Sequence, residues 1–117
     1  MGNLLVEKSK AFALESIRVY ERLQTSREFI LSKQFLRSAT SIGANIAEGQ
    51  YAQTKADFLS KYSISLKEAS ETRYWLELLQ VAGYLKKSES TNSIMLQCDE
   101  LIRLLASSVK KLKADKK

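Results

Sequence analysis

Apolar residues recur at every third or fourth position through four segments of this chain, which contains no proline. That spacing matches the 3.6 residues of a helical turn, whereas strands would need alternating apolar and polar residues between turn signals. We expect helices over about 3–26, 32–49, 55–82 and 90–113. The sequence therefore predicts an all-α fold built from four long amphipathic helices.

Short connections separate the four predicted helices. Thr54 and Asp57 resemble a capping box at the start of the third helix, and Gly83 suits the left-handed position after its end. Short connections between long helices favour antiparallel neighbours. The 117 residues fit one domain, 1–117, with no interdomain linker. We therefore expect an antiparallel up-down-up-down four-helix bundle.

The second helix contains an unusual run of small residues, LRSATSIGANIAEG, over 36–49. A glycine inside a helix costs about 1 kcal/mol relative to alanine, so Gly43 implies close packing, either within the chain or between subunits. The polar side of this helix carries short groups such as Ser38, Ser41 and Asn45. A solvated face normally carries long charged side chains, so this side favours a contact surface.

The third helix has two apolar sides. Opposite its core face, Ile64, Trp75, Leu78 and Ala82 form a second stripe. A helix of a four-helix bundle faces one core, so a second stripe predicts an oligomer interface, with Trp75 substantially buried between subunits.

An ion pair is expected beside this second stripe. If the second and third helices are antiparallel about a turn near residues 52 and 53, equal rise places Arg37 level with Glu68. A shift of one or two residues would bring Glu71 instead, and the guanidinium would bind the carboxylate bidentately. The predicted oligomer interface comprises Arg37, Ser41, Asn45, Ile64, Glu68, Glu71, Trp75 and Leu78.

Positive charge is concentrated at the end of the chain. The net charge is +6, and residues 110–117 hold five lysines against Asp115, which is +4. A basic tail is most often a solvated helix end, and lysines there suit the helix dipole. Clustered lysines also bind polyanions by releasing counterions from phosphates. The candidate nucleic-acid contacts are Arg18, Arg22, Lys110, Lys111, Lys113, Lys116 and Lys117.

Residues that carry catalytic or metal chemistry are scarce. The sequence contains no histidine, the commonest general base and metal ligand. Cys98 falls in the apolar stripe of the fourth helix, which predicts a buried structural thiol. Glu68 and Glu71 are better explained as salt-bridging groups than as an acid/base or metal pair. We expect no catalytic, cofactor-binding or metal-binding residues.

The sequence also bears on location. No run of about 18 apolar residues predicts a membrane span, and the first residues lack the charged-then-apolar order of a signal peptide. The single cysteine cannot form an internal disulfide, which fits a reducing compartment. We expect a cytoplasmic protein with no membrane contact.

Two segments carry a resemblance to a known family. KQFLRSATSIGANIAEG and DFLSKYSISLKEASETRYWLELL, with EKSKAFALESIRVYERLQ before them, resemble the bacterial four-helix-bundle proteins named for intervening sequences in 23S ribosomal RNA genes. The resemblance covers roughly residues 5–85 and implies a homopentameric barrel of antiparallel bundles. The chain is also similar to the accessory variability proteins of diversity-generating retroelements, basic pentamers that associate with nucleic acid and a reverse transcriptase.

These observations favour a non-catalytic, homo-oligomeric bundle that binds nucleic acid, either RNA or a ribonucleoprotein, through clustered positive charge. The alternative is a protein-interaction scaffold or accessory subunit without direct nucleic-acid contact. Such a scaffold would bind its partner through the stripe of Trp75 or the polar face of the second helix.

Overall fold

Four helices make up most of the chain. The structure, a computed structural model, describes residues 2–115, and within this range there is no strand. The all-α prediction is therefore confirmed, and no helix boundary differs from its expected position by more than two residues. The helices are α1 (Gly2–Thr25), α2 (Leu31–Gly49), α3 (Lys55–Val81) and α4 (Glu89–Asp115).

Each helix runs antiparallel to its neighbours in sequence, and α1 and α4 meet to close the bundle. The pairs that establish this are Ser9 beside Gly43 and Gln24 with Ser32 for α1 and α2, Ser65 with Ile42 and Thr72 with Ser38 for α2 and α3, Ala69 with Cys98 and Phe58 beside Leu112 for α3 and α4, and Lys8 with Glu100 and Leu5 beside Ser108 for α1 and α4. The bundle measures 48 × 20 × 20 Å. The antiparallel order places the connection between α2 and α3 at one end of the bundle and the other two connections at the opposite end.

Local sequence signals set both ends of α3. The Thr54 side chain accepts a hydrogen bond from the Asp57 backbone N–H at 3.0 Å, as the expected N-terminal cap requires. At the other end Gly83 adopts φ 90°, and the Tyr84 N–H donates to the Leu79 carbonyl at 2.9 Å. This is the glycine-terminated helix end that the sequence predicts.

The start of α2 is capped by a carboxylate. Glu28 is buried, and its side chain accepts hydrogen bonds from the backbone N–H groups of Ile30, Leu31 and Ser32 at 3.2, 3.0 and 2.6 Å. Burial alone would raise the pKa of Glu28, but these hydrogen bonds hold it below the ordinary value. One side chain thus serves three of the N–H groups that a helix leaves without an internal partner.

Two hydroxyl contacts join α2 to α3 inside the bundle. The Thr72 hydroxyl donates to Ser38 Oγ at 2.8 Å, and the Ser65 hydroxyl donates to the Ile42 carbonyl at 2.8 Å. All four residues are buried. The assignment of Ser38 to an outward contact surface was therefore wrong: its small side chain packs within the chain, where its hydroxyl has a partner.

The two glycines of the small-residue run also serve close packing within the chain. A Cβ atom at Gly43 would lie 3.3 Å from Ser9 Oγ of α1, and one at Gly49 would lie 3.0 Å from the Tyr62 ring of α3. Both distances are shorter than ordinary van der Waals contact. The glycines let α2 approach a neighbour on each side.

No helix within residues 2–115 combines the length and apolarity that a membrane crossing requires.

Candidate functional site

Arg37 of α2 spans two carboxylates of α3. Its Nη1 lies 3.4 Å from Glu68 Oε1, and its Nη2 donates to Glu71 Oε2. The pairing predicted from equal helix rise is confirmed, with one correction. The guanidinium divides its two nitrogens between the carboxylates, because Glu68 and Glu71 are three residues apart and lie on one face of α3.

The same carboxylate orients the tryptophan. Trp75 Nε1 donates to Glu71 Oε2 at 3.0 Å, and the Trp75 ring meets Tyr74 edge to face at 5.2 Å. The hydrogen bond from Trp75 lowers the pKa of Glu71, whereas burial raises it. The hydrogen bond and the charge of Arg37 lower it further, so the net shift is downward. Glu71 in turn raises the pKa of Arg37. The Arg37 and Glu71 side chains therefore both stay charged at neutral pH.

These groups belong to a continuous line along α3. Ile64, Glu68, Glu71, Trp75 and Leu78 follow one another at intervals of four and three residues, and we call this line the α3 stripe. Ile64 is 39% exposed, whereas Trp75 and Leu78 are half-buried, and Trp75 packs against the core. The single chain thus leaves part of the predicted apolar surface open to solvent.

The α2 residues beside this line hydrogen-bond within their own helix. The Ser41 hydroxyl donates to the Arg37 carbonyl at 2.7 Å, and the Asn45 amide donates to the Ser41 carbonyl at 2.9 Å. All eight residues predicted for the oligomer interface therefore lie on the side of the bundle formed by α2 and α3. Because most of their donors are already engaged, this side can be covered by another surface at little cost in unpaired polar groups.

The predicted nucleic-acid contacts do not come together. Arg18 and Arg22 lie near the end of α1, whereas Lys110, Lys111 and Lys113 lie near the end of the antiparallel α4. At 1.5 Å per residue, Arg22 and Lys110 are roughly 30 Å apart along the bundle. The Arg18 side chain is 68% exposed and pairs with Glu15 at 3.3 Å. Lys116 and Lys117 lie outside the described residues.

Two basic regions result, one at each end of the bundle. At the tail end Lys110, Lys111 and Lys113 are exposed, and within residues 2–115 none of them has a carboxylate within 4 Å. At the opposite end, the up-down topology brings together cations that are far apart in the sequence. Those cations are Arg22, Arg27, Lys33, Lys86 and Lys87.

The candidate nucleophile is inert. Cys98 is fully buried, its Sγ donates to the Ala69 carbonyl at 3.4 Å, and burial raises the pKa of the thiol to about 12. Beside it, Arg73 joins α3 to α4 through Asp99 at 2.7 Å. Within the part of the chain that the structure describes, no three histidine, cysteine, aspartate or glutamate side chains group as metal ligands would.

Comparison with known proteins places this geometry beside one family. The model of the 23S rRNA-intervening sequence protein family matches residues 3–107. A crystal structure of a protein with unknown function, from the S23 ribosomal protein family of Bacteroides thetaiotaomicron, is similar with a TM-score of 0.89 and 46% sequence identity. The similarity covers 93% of this chain and 97% of that one. The curated proteins contain no match.

Proposed function

The chain belongs to the 23S rRNA-intervening sequence protein family, and from this premise we propose that it is a non-catalytic, homo-oligomeric bundle that binds nucleic acid through clustered positive charge. RNA or a ribonucleoprotein is the proposed ligand, which would place the protein in the cytoplasm. The names of the family and of the similar Bacteroides protein, which refer to 23S rRNA and to a ribosomal protein, agree with this ligand.

The basic end of α4 is the observation that carries the proposal. Lys110, Lys111 and Lys113 are exposed, and within residues 2–115 they pair with no carboxylate. The segment 110–117 supplies +4 of the net +6. Lysines without protein partners are the groups that exchange condensed counterions for phosphate contacts.

The α3 stripe supports assembly. Its apolar members remain partly open in the single chain, and both of its carboxylates pair with Arg37. We propose that it packs against another copy, five copies being the number that the family resemblance implies. Five copies of a chain of charge +6 would carry +30, and repeated weak contacts would then act together on one polyanion.

The proposal that the protein is non-catalytic rests on the unreactive Cys98 thiol and on the absence of histidine as a general base. The Cys98 thiol has a pKa of about 12 and no exposed surface, and the sequence contains no histidine. Turnover of a bound nucleic acid would overturn this part.

Fluorescence anisotropy with labelled single-stranded RNA, duplex RNA and duplex DNA tests the binding proposal across a salt series. Affinity should fall steeply with salt, and Lys110→Gln/Lys113→Gln should reduce the slope of log K against log salt by about 1 to 2. Lys10→Gln/Lys67→Gln is the matched control, since it removes two exposed lysines that lie away from the tail.

Three results would decide between the two functions. An unchanged slope in the tail variant would show that the tail is only a solvated helix end. No binding of any nucleic acid at low salt would refute the leading proposal. Binding of a protein partner through Trp75, in the absence of nucleic-acid binding, would establish the scaffold that the half-buried tryptophan also favours.

A further inference from the structure

Large apolar side chains are exposed at one end of the bundle. We define the loop end as residues 26–30 and 82–88, the two connections that the up-down topology places together across a width of 20 Å. Phe29 and Tyr84 are half-exposed there, and Ile30 is mostly exposed. Single exposed apolar residues are normal on a protein surface, but here two aromatic rings are exposed on two connections at the same end of the bundle.

The same end carries cations without protein partners. Five of them lie on or close to the loop end, all are exposed, and among residues 2–115 none lies within 4 Å of a carboxylate. Glu21 and Glu89 are exposed nearby, whereas Glu28 is buried and committed to the start of α2. The cations are Arg22, Arg27, Lys33, Lys86 and Lys87.

One of these cations is held in a strained backbone conformation. Helix α1 ends with Glu28 N–H donating to the Leu23 carbonyl and Arg27 N–H donating to the Gln24 carbonyl, both at 2.9 Å. This pattern puts Arg27 at φ 63°, where a side chain crowds its own carbonyl and glycine is the usual residue.

The other connection at the loop end supplies the comparison. Helix α3 ends in the same hydrogen-bond pattern, with Tyr84 N–H donating to the Leu79 carbonyl, but here the left-handed position is Gly83 at φ 90°. The chain thus uses the unstrained residue at one connection and keeps an arginine at the other. An observed backbone outlier of this kind points to a use for the side chain.

We propose that the loop end binds unpaired nucleotides, with bases stacking on Phe29 and Tyr84 and phosphates contacting Arg27, Lys86 and Lys87. The inference rests on the proposed function and names the part of the ligand that this end recognises. Aromatic rings among cations are the recurring means of binding single strands, because every base has a face that can stack. A duplex hides those faces, so it cannot use the rings.

Charge opposes the pairing of this end with the same end of a second copy. Two loop ends brought face to face would set five cations against five others, which repel one another. A single strand instead brings phosphates to the cations and bases to the rings. The width of 20 Å accommodates roughly six stacked nucleotides at 3.4 Å each.

The test compares variants of the full chain in anisotropy titrations with single-stranded and duplex RNA of equal length. Phe29→Ala/Tyr84→Ala should weaken single-strand binding by at least about tenfold and leave duplex binding unchanged. Tyr51→Ala is the matched control, since Tyr51 is 86% exposed at the opposite end of the bundle, and it should have no effect.

Arg27→Gly separates binding from folding. Relief of the left-handed strain should raise the melting temperature by about 2–4 °C, while the loss of one phosphate contact should weaken RNA binding about threefold and reduce the salt slope by about 0.7. Arg27→Lys should keep the binding. If Arg27→Gly stabilises the protein and binds RNA as well as the wild type, the residue has no role in binding and the inference fails.

The remaining outcomes distinguish this inference from the function on which it rests. If the wild type binds no nucleic acid at low salt, both fail. If binding depends on the tail lysines and the loop-end variants bind single strands normally, only the inference fails. It is also overturned if the loop-end variants lose affinity for phosphatidylserine vesicles and retain it for RNA, or if they change the mass of the assembly.

Discussion

Replacing Arg37 with alanine should lower the unfolding free energy of the separated chain only slightly and that of the assembled protein much more. In the single chain the Arg37 side chain is 50% exposed, and its partners Glu68 and Glu71 are 20% and 38% exposed. Exposed ion pairs contribute about 0.2–1 kcal/mol each, so removal of both should cost about 1 kcal/mol after solvent screening.

Assembly changes this magnitude because it removes solvent from the cluster. If another copy covers the α3 stripe, Arg37→Ala leaves Glu68 and Glu71 as buried carboxylates without a cation. Breaking a buried pair in this way costs about 3 kcal/mol or more. The difference between the two costs reports whether the face is covered.

The assay is urea unfolding at two protein concentrations, with a double-mutant cycle that adds Glu71→Gln. We expect coupling under about 1 kcal/mol where the chain is dissociated and a larger value where it is assembled. Arg18→Ala is the control, since Arg18 pairs with Glu15 on an exposed face and should cost within about 0.5 kcal/mol. Coupling indistinguishable from zero at the higher concentration would refute the reasoning.

Three further predictions concern single residues within the bundle. Glu28→Ala should destabilise the fold by about 2–3 kcal/mol in urea unfolding, because it exposes three helix N–H groups at the start of α2. Since the pKa of Glu28 is lowered in the folded state, its contribution to stability is complete above the unfolded value near 4.5 and is lost as pH falls through the folded value. The unfolding free energy of Glu28→Gln should therefore fall less steeply below pH 5 than that of the wild type. Equal slopes would contradict the assignment. Gly43→Ala should change the unfolding free energy by less than about 0.5 kcal/mol, since the higher helix propensity of alanine offsets the 3.3 Å contact with Ser9 Oγ. Gly43→Val should lower the unfolding free energy by about 1–3 kcal/mol. A well-tolerated valine would show that α1 and α2 do not approach closely there. Cys98 should resist a disulfide reagent at pH 8, where about one thiol in 10,000 is ionised at a pKa of about 12, and should react on unfolding; rapid modification of the folded protein would refute its burial.

Helix positions and the register between α2 and α3 could be predicted because both follow from repeat geometry. The apolar period locates each helix, and the equal rise of antiparallel helices places Arg37 level with Glu68 once the turn is located. Neither step depends on which hydrogen-bond partners the individual side chains find.

Other features depend on hydrogen bonds that hydrophobic patterning does not describe. Ser38 is polar and was assigned to the outer face, but Thr72 supplies its partner inside the bundle. Glu28 precedes the first residue of α2 by three positions, so its capping role requires the actual path of the connection. The left-handed backbone of Arg27 is likewise visible only in the structure, because glycine is the residue that signals such a position.

The separation of the predicted nucleic-acid contacts has a different origin. Arg22 and Lys110 were grouped by charge alone, although an up-down topology places the ends of α1 and α4 at opposite ends of the bundle. The separation therefore follows from the topology that the sequence itself predicts.

Native mass spectrometry of the full chain, alone and with a single-stranded RNA of known mass, tests the central claim most directly. We expect an assembly whose mass is a multiple of 13.3 kDa, five copies by family resemblance, which gains the mass of bound RNA when the RNA is added. A species of 13.3 kDa that neither assembles nor gains the mass of RNA would contradict the account.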